Sequence, residues 1–199
     1  MTFEGYGVAY DPYVYKGTQC LKNRLGLRDP SQLADFEVEI STLRAEEPLP
    51  QGRFSPRHYR RIHWHLFRDV YRWAGHYRTI RTGKGSNWFC YPEHIPREMN
   101  KLFPRLRAPE FRLGVTERAF LDSVTEFLAD LNAIHPFRDG NGRTQLAFVD
   151  LLAFHAQWPL DFSKIRQETF ISAMIESFGG STASLRRELM ALRGVVTRT

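Results

Sequence analysis

Apolar residues along this chain recur mostly at helical spacing. From Asp29-Pro30 to about Glu47 the run places Leu33, Phe36, Ile40 and Leu43 on one expected face. Pro30 sits in the first turn, where its missing N–H has no intrahelical partner to lose, and Pro48 and Pro50 close the run. Ser55-Pro56 repeats the cap-plus-proline start, and Tyr59, Ile62, Leu66, Val70 and Trp73 carry a second pattern on to Gly75. The period then changes. Two short extended runs flank Gly83-Lys-Gly-Ser-Asn87 within Tyr77–Tyr91 and predict a β-hairpin with a longer loop.

Helical spacing returns over about 92–106. It returns again from Thr116 to Ile134-His135, with Phe120, Val124, Phe127, Leu128 and Leu131 turned inward. Another helix starts near Gly142 and carries Phe148, Leu151, Leu152 and His155, and two shorter ones follow over roughly 167–178 and 182–192. The chain over about 1–29, with Gly5-Tyr-Gly and Asp11-Pro-Tyr-Val-Tyr, reads as irregular and aromatic-pinned. No repeat, low-complexity run or long linker interrupts the rest. The expected fold is mostly α: one helical domain over 1–199 with a single β-hairpin.

Composition narrows the partners more than the fold. The 199 residues suffice for a continuous core, and 42% apolar with 25% charged residues excludes a disordered or fibrous chain. A formal charge of +6 suits an anionic ligand or partner, whether nucleotide, nucleic acid or acidic protein surface. No stretch approaches roughly 18 consecutive apolar residues, and the start lacks a basic segment followed by an apolar one, so a cytoplasmic protein is expected. Cys20 and Cys90 are too few and too far apart for a disulfide framework or a zinc site and are expected as reduced thiols. The arginines of the second helix (Arg57, Arg60, Arg61, Arg68, Arg72) raise direct DNA binding, but a solvated face or pairing with acids such as Asp69 accounts for many of them better, and nucleic-acid binding is not expected.

Candidate chemistry concentrates where one helix ends and the next begins, in His135-Pro-Phe-Arg-Asp-Gly-Asn-Gly-Arg143. A helix N-terminus presents free N–H groups and a positive dipole end to an anion. Gly140 and Gly142 remove side chains that would block phosphate oxygens, and Arg143 adds a forked cation. Asp139 can hold a magnesium ion that bridges phosphates, and His135 can take a proton from an incoming hydroxyl. Each residue alone has a plainer reading. Asp139 can simply cap the next helix, Phe137 can anchor the loop in the core, and Gly-x-Gly can be only a turn. The ordered combination favours nucleotide phosphate chemistry without excluding those readings.

The same segment resembles the signature of the Fic family (filamentation induced by cyclic AMP), H-x-F-x-[DE]-G-N-G-R-x-x-R, and matches it through Arg143. Asp11-Pro-Tyr, Ile62-His-x-x-Leu-Phe-Arg-Asp-Val-Tyr-Arg-Trp-Ala-Gly75 and Gly83-Lys-Gly-Ser-Asn-Trp-Phe89 resemble further family segments, the last of them its hairpin flap. The resemblance implies a helical Fic domain with core motif 135–146 that transfers AMP from ATP, with Mg²⁺, to a Ser, Thr or Tyr hydroxyl of a target protein. His135 would be the general base and Asp139 the metal ligand. Gly140, Asn141 and Gly142 would hold the α- and β-phosphates, and Arg143 would contact the β-phosphate. Lys84 and Gly85 would cover the nucleotide, and the flap Lys84, Gly85, Ser86, Asn87, Trp88 and Phe89 would align the target by strand addition. The compact length resembles the bacterial toxin branch, which implies a small separate antitoxin and a target such as a type II topoisomerase. The same base and metal site also serve transfer of UMP, phosphocholine or phosphate, and a weakly active nucleotide-binding or partner-binding protein would share the fold.

The chain departs from the pattern at its last position, where Leu146 replaces the second arginine. In the family that arginine grips the γ-phosphate and pairs with an inhibitory glutamate. The loss implies ATP held by Arg143, Mg²⁺ and the nest alone, a different phosphate donor, or a weakened copy. The inhibitory signature [ST]-x-x-x-E-[GN] is not completed within the chain. Thr42–Glu46, Ser172–Glu176 and Ser184–Glu188 have its first spacing but continue with Glu47, Ser177 and Leu189. No built-in inhibitor is expected, and the usual arginine–glutamate clamp is not expected to form.

Overall fold

A computed structural model describes residues 11–85, 87–111 and 114–194; Gly5-Tyr-Gly and Ser86 lie outside the described residues. The chain gathers into two compact units. The first runs up to Ile95 and includes Pro136–Thr144; the second comprises Pro96–His135 and the chain from Gln145 onward. The mostly helical class and the single hairpin are as expected.

In the first unit, α1 spans Pro30–Glu46 and packs on α2, Pro56–Phe67. The Asp29 carboxylate accepts from the N–H groups of Ser31 and Gln32 at 2.8 and 3.0 Å, and Ser55 Oγ accepts from the His58 N–H at 3.2 Å. Both caps were legible. The inward face of α1 differs from the expected one. Leu33 is buried, but its companions are Glu37 and Ser41, while Leu43 is exposed. Partners supplied by other elements override the apolar pattern here. The second pattern also stops early. After Phe67 the chain turns, with the N–H groups of Val70 and Tyr71 both donating to the Phe67 carbonyl. The turns let Tyr71 and Trp73 stack at 4.2 Å and deliver the Gly75 N–H to His63 Nδ1 at 2.8 Å.

The hairpin is tighter than expected. β1, Gly83–Lys84, pairs antiparallel with β2, Asn87–Trp88, in the register Gly83 to Trp88 and Lys84 to Asn87. The flanking runs are not strands. Arg78, 2% exposed, ties them instead, donating to the Ile80 carbonyl at 2.7 Å and the Cys90 carbonyl at 2.5 Å. Burial draws the Arg78 guanidinium down to about 10.

In the second unit, the expected helix over 92–106 is broken into a 3₁₀ turn at Pro92–His94, α3 at Ile95–Leu102 and a further 3₁₀ segment at Phe103–Arg107, where Pro104 cannot continue an α-helical ladder. The long helix α4, Glu117–Ile134, buries Phe120, Val124, Phe127, Leu128 and Leu131. α5, Asn141–Ala156, contributes Phe148, and α6, Gln167–Phe178, packs with α7, Ala183–Ala191, on α4. Phe103 meets Phe127 edge-on at 5.4 Å, and Phe127 stacks with Phe148 at 6.0 Å. Cys20 and Cys90 are free thiols. Among the described residues no helix is long and apolar enough to cross a membrane.

Candidate active site

His135 terminates α4 in the left-handed region, φ 47 and ψ 64, with its N–H donating to the Leu131 carbonyl at 3.0 Å. Glycine is the usual residue at such a cap, and a side chain here costs about 1 kcal/mol. The left-handed residue ends the helix abruptly, and the chain passes directly into Pro136–Thr144.

That stretch is held by side chains of the first unit. Phe137 is fully buried, stacked on His63 at 3.8 Å and on Tyr59 at 5.4 Å. Pro136 offers its carbonyl to the Arg78 N–H at 2.9 Å, and Arg138 pairs with Asp11 at 2.9 Å. His63 fixes Asp139. Its Nδ1 accepts the Gly75 N–H, so Nε2 carries the proton and donates to the Asp139 carbonyl at 3.0 Å. Burial keeps this imidazole neutral, drawing it down to about 3.

Asn141 opens α5, and the first helical bond runs from the Thr144 N–H to the Gly140 carbonyl at 3.1 Å. The N–H groups of Asn141, Gly142 and Arg143 therefore have no intrahelical acceptor. An added Cβ on the exposed Gly142 would meet nothing within 4 Å, so an anion can approach there. The two expected nest glycines do different work. Gly140 has φ +75, and a Cβ on it would lie 2.4 Å from a carbon of the Phe67 ring, so packing and backbone sign demand glycine rather than phosphate access. Its N–H donates to Asp139 Oδ1 at 2.6 Å. The Asn141 side chain is spent as well, with Oδ1 accepting from the Phe137 N–H at 3.0 Å and Nδ2 donating to the Phe137 carbonyl at 2.9 Å. The main-chain N–H groups left without an intrahelical acceptor are therefore those of Asn141, Gly142 and Arg143, one residue on from the expected Gly140–Gly142.

Asp139 is half-buried, with one carboxylate oxygen on the Gly140 N–H. Among the described residues no group of three or more His, Cys, Asp or Glu side chains is arranged to hold a metal. The single hard carboxylate fits Mg²⁺ in its usual mode, completed by phosphate oxygens and water.

Arg143 carries the largest departure from the sequence expectation. Its Nη1 donates to Ser41 Oγ at 2.7 Å, its Nη2 pairs with Glu37, and the guanidinium lies 4.6 Å over the Phe67 ring. The other oxygen of Glu37 accepts the Tyr71 hydroxyl. Burial, and next the charge of Asp139, push the Glu37 carboxyl upward. An arginine–glutamate pair does form, then, between Arg143 and α1 rather than through position 146. Glu37, Ser41 and Tyr71 were missed; the signal was a Glu and a Ser at i+4 and i+8 from Leu33.

The hairpin residues divide. Lys84 and Gly85 are exposed at the tip, Asn87 is half-buried, and Trp88 is 40% exposed with the Arg81 guanidinium 4.4 Å over its ring. Phe89 is buried.

The chain is similar to known proteins in sequence and fold. The profile of the Fic/DOC family matches residues 53–153. A probable protein adenylyltransferase of Sinorhizobium fredii, y4lH, is 50% identical over 186 residues, covering 92% of this chain and 96% of its own. The BepC effector of Bartonella tribocorum, solved with AMPPNP bound, superposes with a TM-score of 0.82 at 27% identity, over 92% of this chain and 96% of its own. The N-terminal Fic domain of a putative cell filamentation protein of Bartonella quintana, solved with ADP bound, gives 0.86 at 29% identity over 93% and 95%. Half-identity along nearly the whole length, together with a profile match through the loop and its supporting helices, establishes that this chain belongs to the Fic/DOC family.

Proposed function

We propose that this protein is a protein adenylyltransferase that moves AMP from ATP to a Ser, Thr or Tyr hydroxyl of a target protein. The observation that carries the reading is the run of N–H groups at Asn141, Gly142 and Arg143 that have no intrahelical acceptor, open at Gly142 and directly preceded by Asp139. Relatives named as adenylyltransferases, and neighbours solved with AMPPNP or ADP, support it.

His135 takes the proton from the target hydroxyl. The freed oxygen bonds to the α-phosphorus, the α–β bridging bond breaks, and pyrophosphate leaves with that electron pair. The main-chain N–H groups of Asn141, Gly142 and Arg143 hold phosphate oxygens where negative charge builds. Asp139 is the residue that would hold Mg²⁺, which would neutralise phosphate charge. Lys84, Gly85, Asn87 and the ladder of the hairpin align the target segment by backbone pairing, and Lys84 and Gly85 also lie over the nucleotide. The two compact units act as one functional Fic domain, since the family match runs through segments of both. The role in the cell is that of a cytoplasmic bacterial toxin acting on a protein such as a type II topoisomerase and restrained by a small separate antitoxin.

Incubation with labelled ATP, GTP, UTP or CTP and a cell lysate tests the reading. Label from α-³²P-ATP is expected to enter a protein band, to disappear in His135→Ala and to disappear on chelation of divalent ions. Entry from another nucleotide alone overturns ATP as donor, an outcome that Leu146 in place of the γ-phosphate arginine makes worth resolving. Label that survives His135→Ala removes His135 as the base.

A further inference from the structure

Glu37 is a buried carboxylate on a helix face where an apolar residue would fill the same space. Burying a carboxylate is costly unless a cation and hydrogen bonds compensate, and here they come from Arg143 and Tyr71. A purely structural contact between helices needs none of this. Both carboxylate oxygens are engaged, so Glu37 cannot rotate, and what it fixes is the Arg143 fork. Ser41 Oγ takes the other guanidinium nitrogen and the Phe67 ring supports the plane from one side. An unrestrained arginine beside a phosphate site samples many rotamers; this one is held by three neighbours, with N–H groups beyond the two already spent still available.

The arrangement also has a cost. The Glu37 carboxylate already pairs with Arg143, and its negative charge opposes binding of an anion by that same guanidinium. A carboxylate in that place is useful only if orienting Arg143 outweighs the repulsion.

We propose that Glu37 is a positioning residue for nucleotide transfer, which with Ser41, Tyr71 and Phe67 presets the Arg143 guanidinium to meet the phosphates at the start of α5. The inference rests on the adenylyltransferase reading. It separates orientation from affinity, and the two respond oppositely to loss of the charge.

The test is Glu37→Gln, which keeps the shape and an acceptor for Tyr71 and removes the charge. A non-hydrolysable ATP analogue is expected to bind about threefold tighter, while kcat for target labelling falls on the order of 10- to 100-fold. Ser41→Ala should lower kcat less, and Glu37→Asp should restore part of what Gln loses. Side-chain NMR reads orientation without turnover. The Arg143 Nε–H resonance is expected to be sharp and to shift with the analogue in the parent protein, and to broaden in Glu37→Gln. A rise in kcat would mean that Glu37 restrains Arg143 and overturns the proposal. Weaker analogue binding with a lowered melting temperature and an unchanged Arg143 resonance would make Glu37 merely structural. If the parent protein labels nothing, the adenylyltransferase reading fails, and the NMR comparison still decides whether Glu37 holds the fork.

Discussion

The interiors of the two compact units are made of different materials. The second unit is filled by rings and aliphatic side chains, among them Phe103, Phe120, Phe127, Phe148, Leu128 and Leu131. Its buried polar side chains are Thr125, Asn132 and Gln145; Thr125 and Asn132 make single bonds to backbone, to the Leu121 and Met174 carbonyls. The first unit buries more polar groups: Asn23, His58 and His65 bond to backbone elsewhere, and Glu37, Ser41, His63, Arg78 and Asn141 form a further set. Each residue of that set bears on the 136–144 segment: His63 through the Asp139 carbonyl, Arg78 through the Pro136 carbonyl, Asn141 through Phe137, and Glu37 and Ser41 through Arg143. One interior supplies cohesion. The other also directs a set of buried hydrogen bonds to one loop and so restricts its shape, which the proposed phosphate site requires.

The largest effect should come from breaking the apolar side. Phe127→Ala removes a ring in contact with Phe103, Phe111 and Phe148 and should cost about 3–5 kcal/mol by urea denaturation. Under conditions where that variant remains folded, affinity for the ATP analogue should change little. A loss of affinity beyond the unfolded fraction would mean that the second core also shapes the nest.

Asn141→Ala should show the opposite balance. It leaves the buried N–H and carbonyl of Phe137 without their side-chain partners, at about 2 kcal/mol, less than the ring deletion. Target labelling should nevertheless fall by more than tenfold, because the loop can then relax. Labelling that tracks stability alone would erase the distinction between the two interiors.

How far each interior could be read beforehand follows from the same difference. The helices of the second unit were legible because Phe120, Val124, Phe127, Leu128 and Leu131 repeat at helical spacing and packing obeys that spacing. The loop was legible because its order of His, Asp, Gly, Asn, Gly and Arg is rare and specific. The first unit was misread where charge replaces hydrophobicity. Glu37 and Ser41 look like surface residues, and only the arrival of Arg143 and Tyr71 from distant positions makes their burial tolerable. The motif position of Asn141 suggests a phosphate contact but not what its side chain does, which is to bond to Phe137, four residues back. Long-range pairing of polar groups leaves no periodic trace in a sequence. The early end of α2 has the same origin, since the Gly75 N–H is needed at His63.

His63 offers the gentlest probe of the polar interior, because pH can perturb it without any change of shape. Unfolded, its imidazole takes up a proton near 6.5; folded, burial holds it neutral down to about 3. Between those values the unfolded chain binds more protons than the folded one at this site. The stability that His63 permits is therefore complete above about 6.5 and is lost progressively as the pH falls towards 3. The slope from this group is about 1.4 kcal/mol per pH unit. His63→Gln, measured without nucleotide or divalent ions, should be less stable at neutral pH because the bonds to Gly75 and Asp139 are altered, but its acid slope should be shallower by that amount. The two stability curves should converge as the pH falls from about 6.5. Parallel curves would mean that His63 takes up its proton in the folded state, and that the carbonyl of Asp139 is not held by a neutral, buried donor.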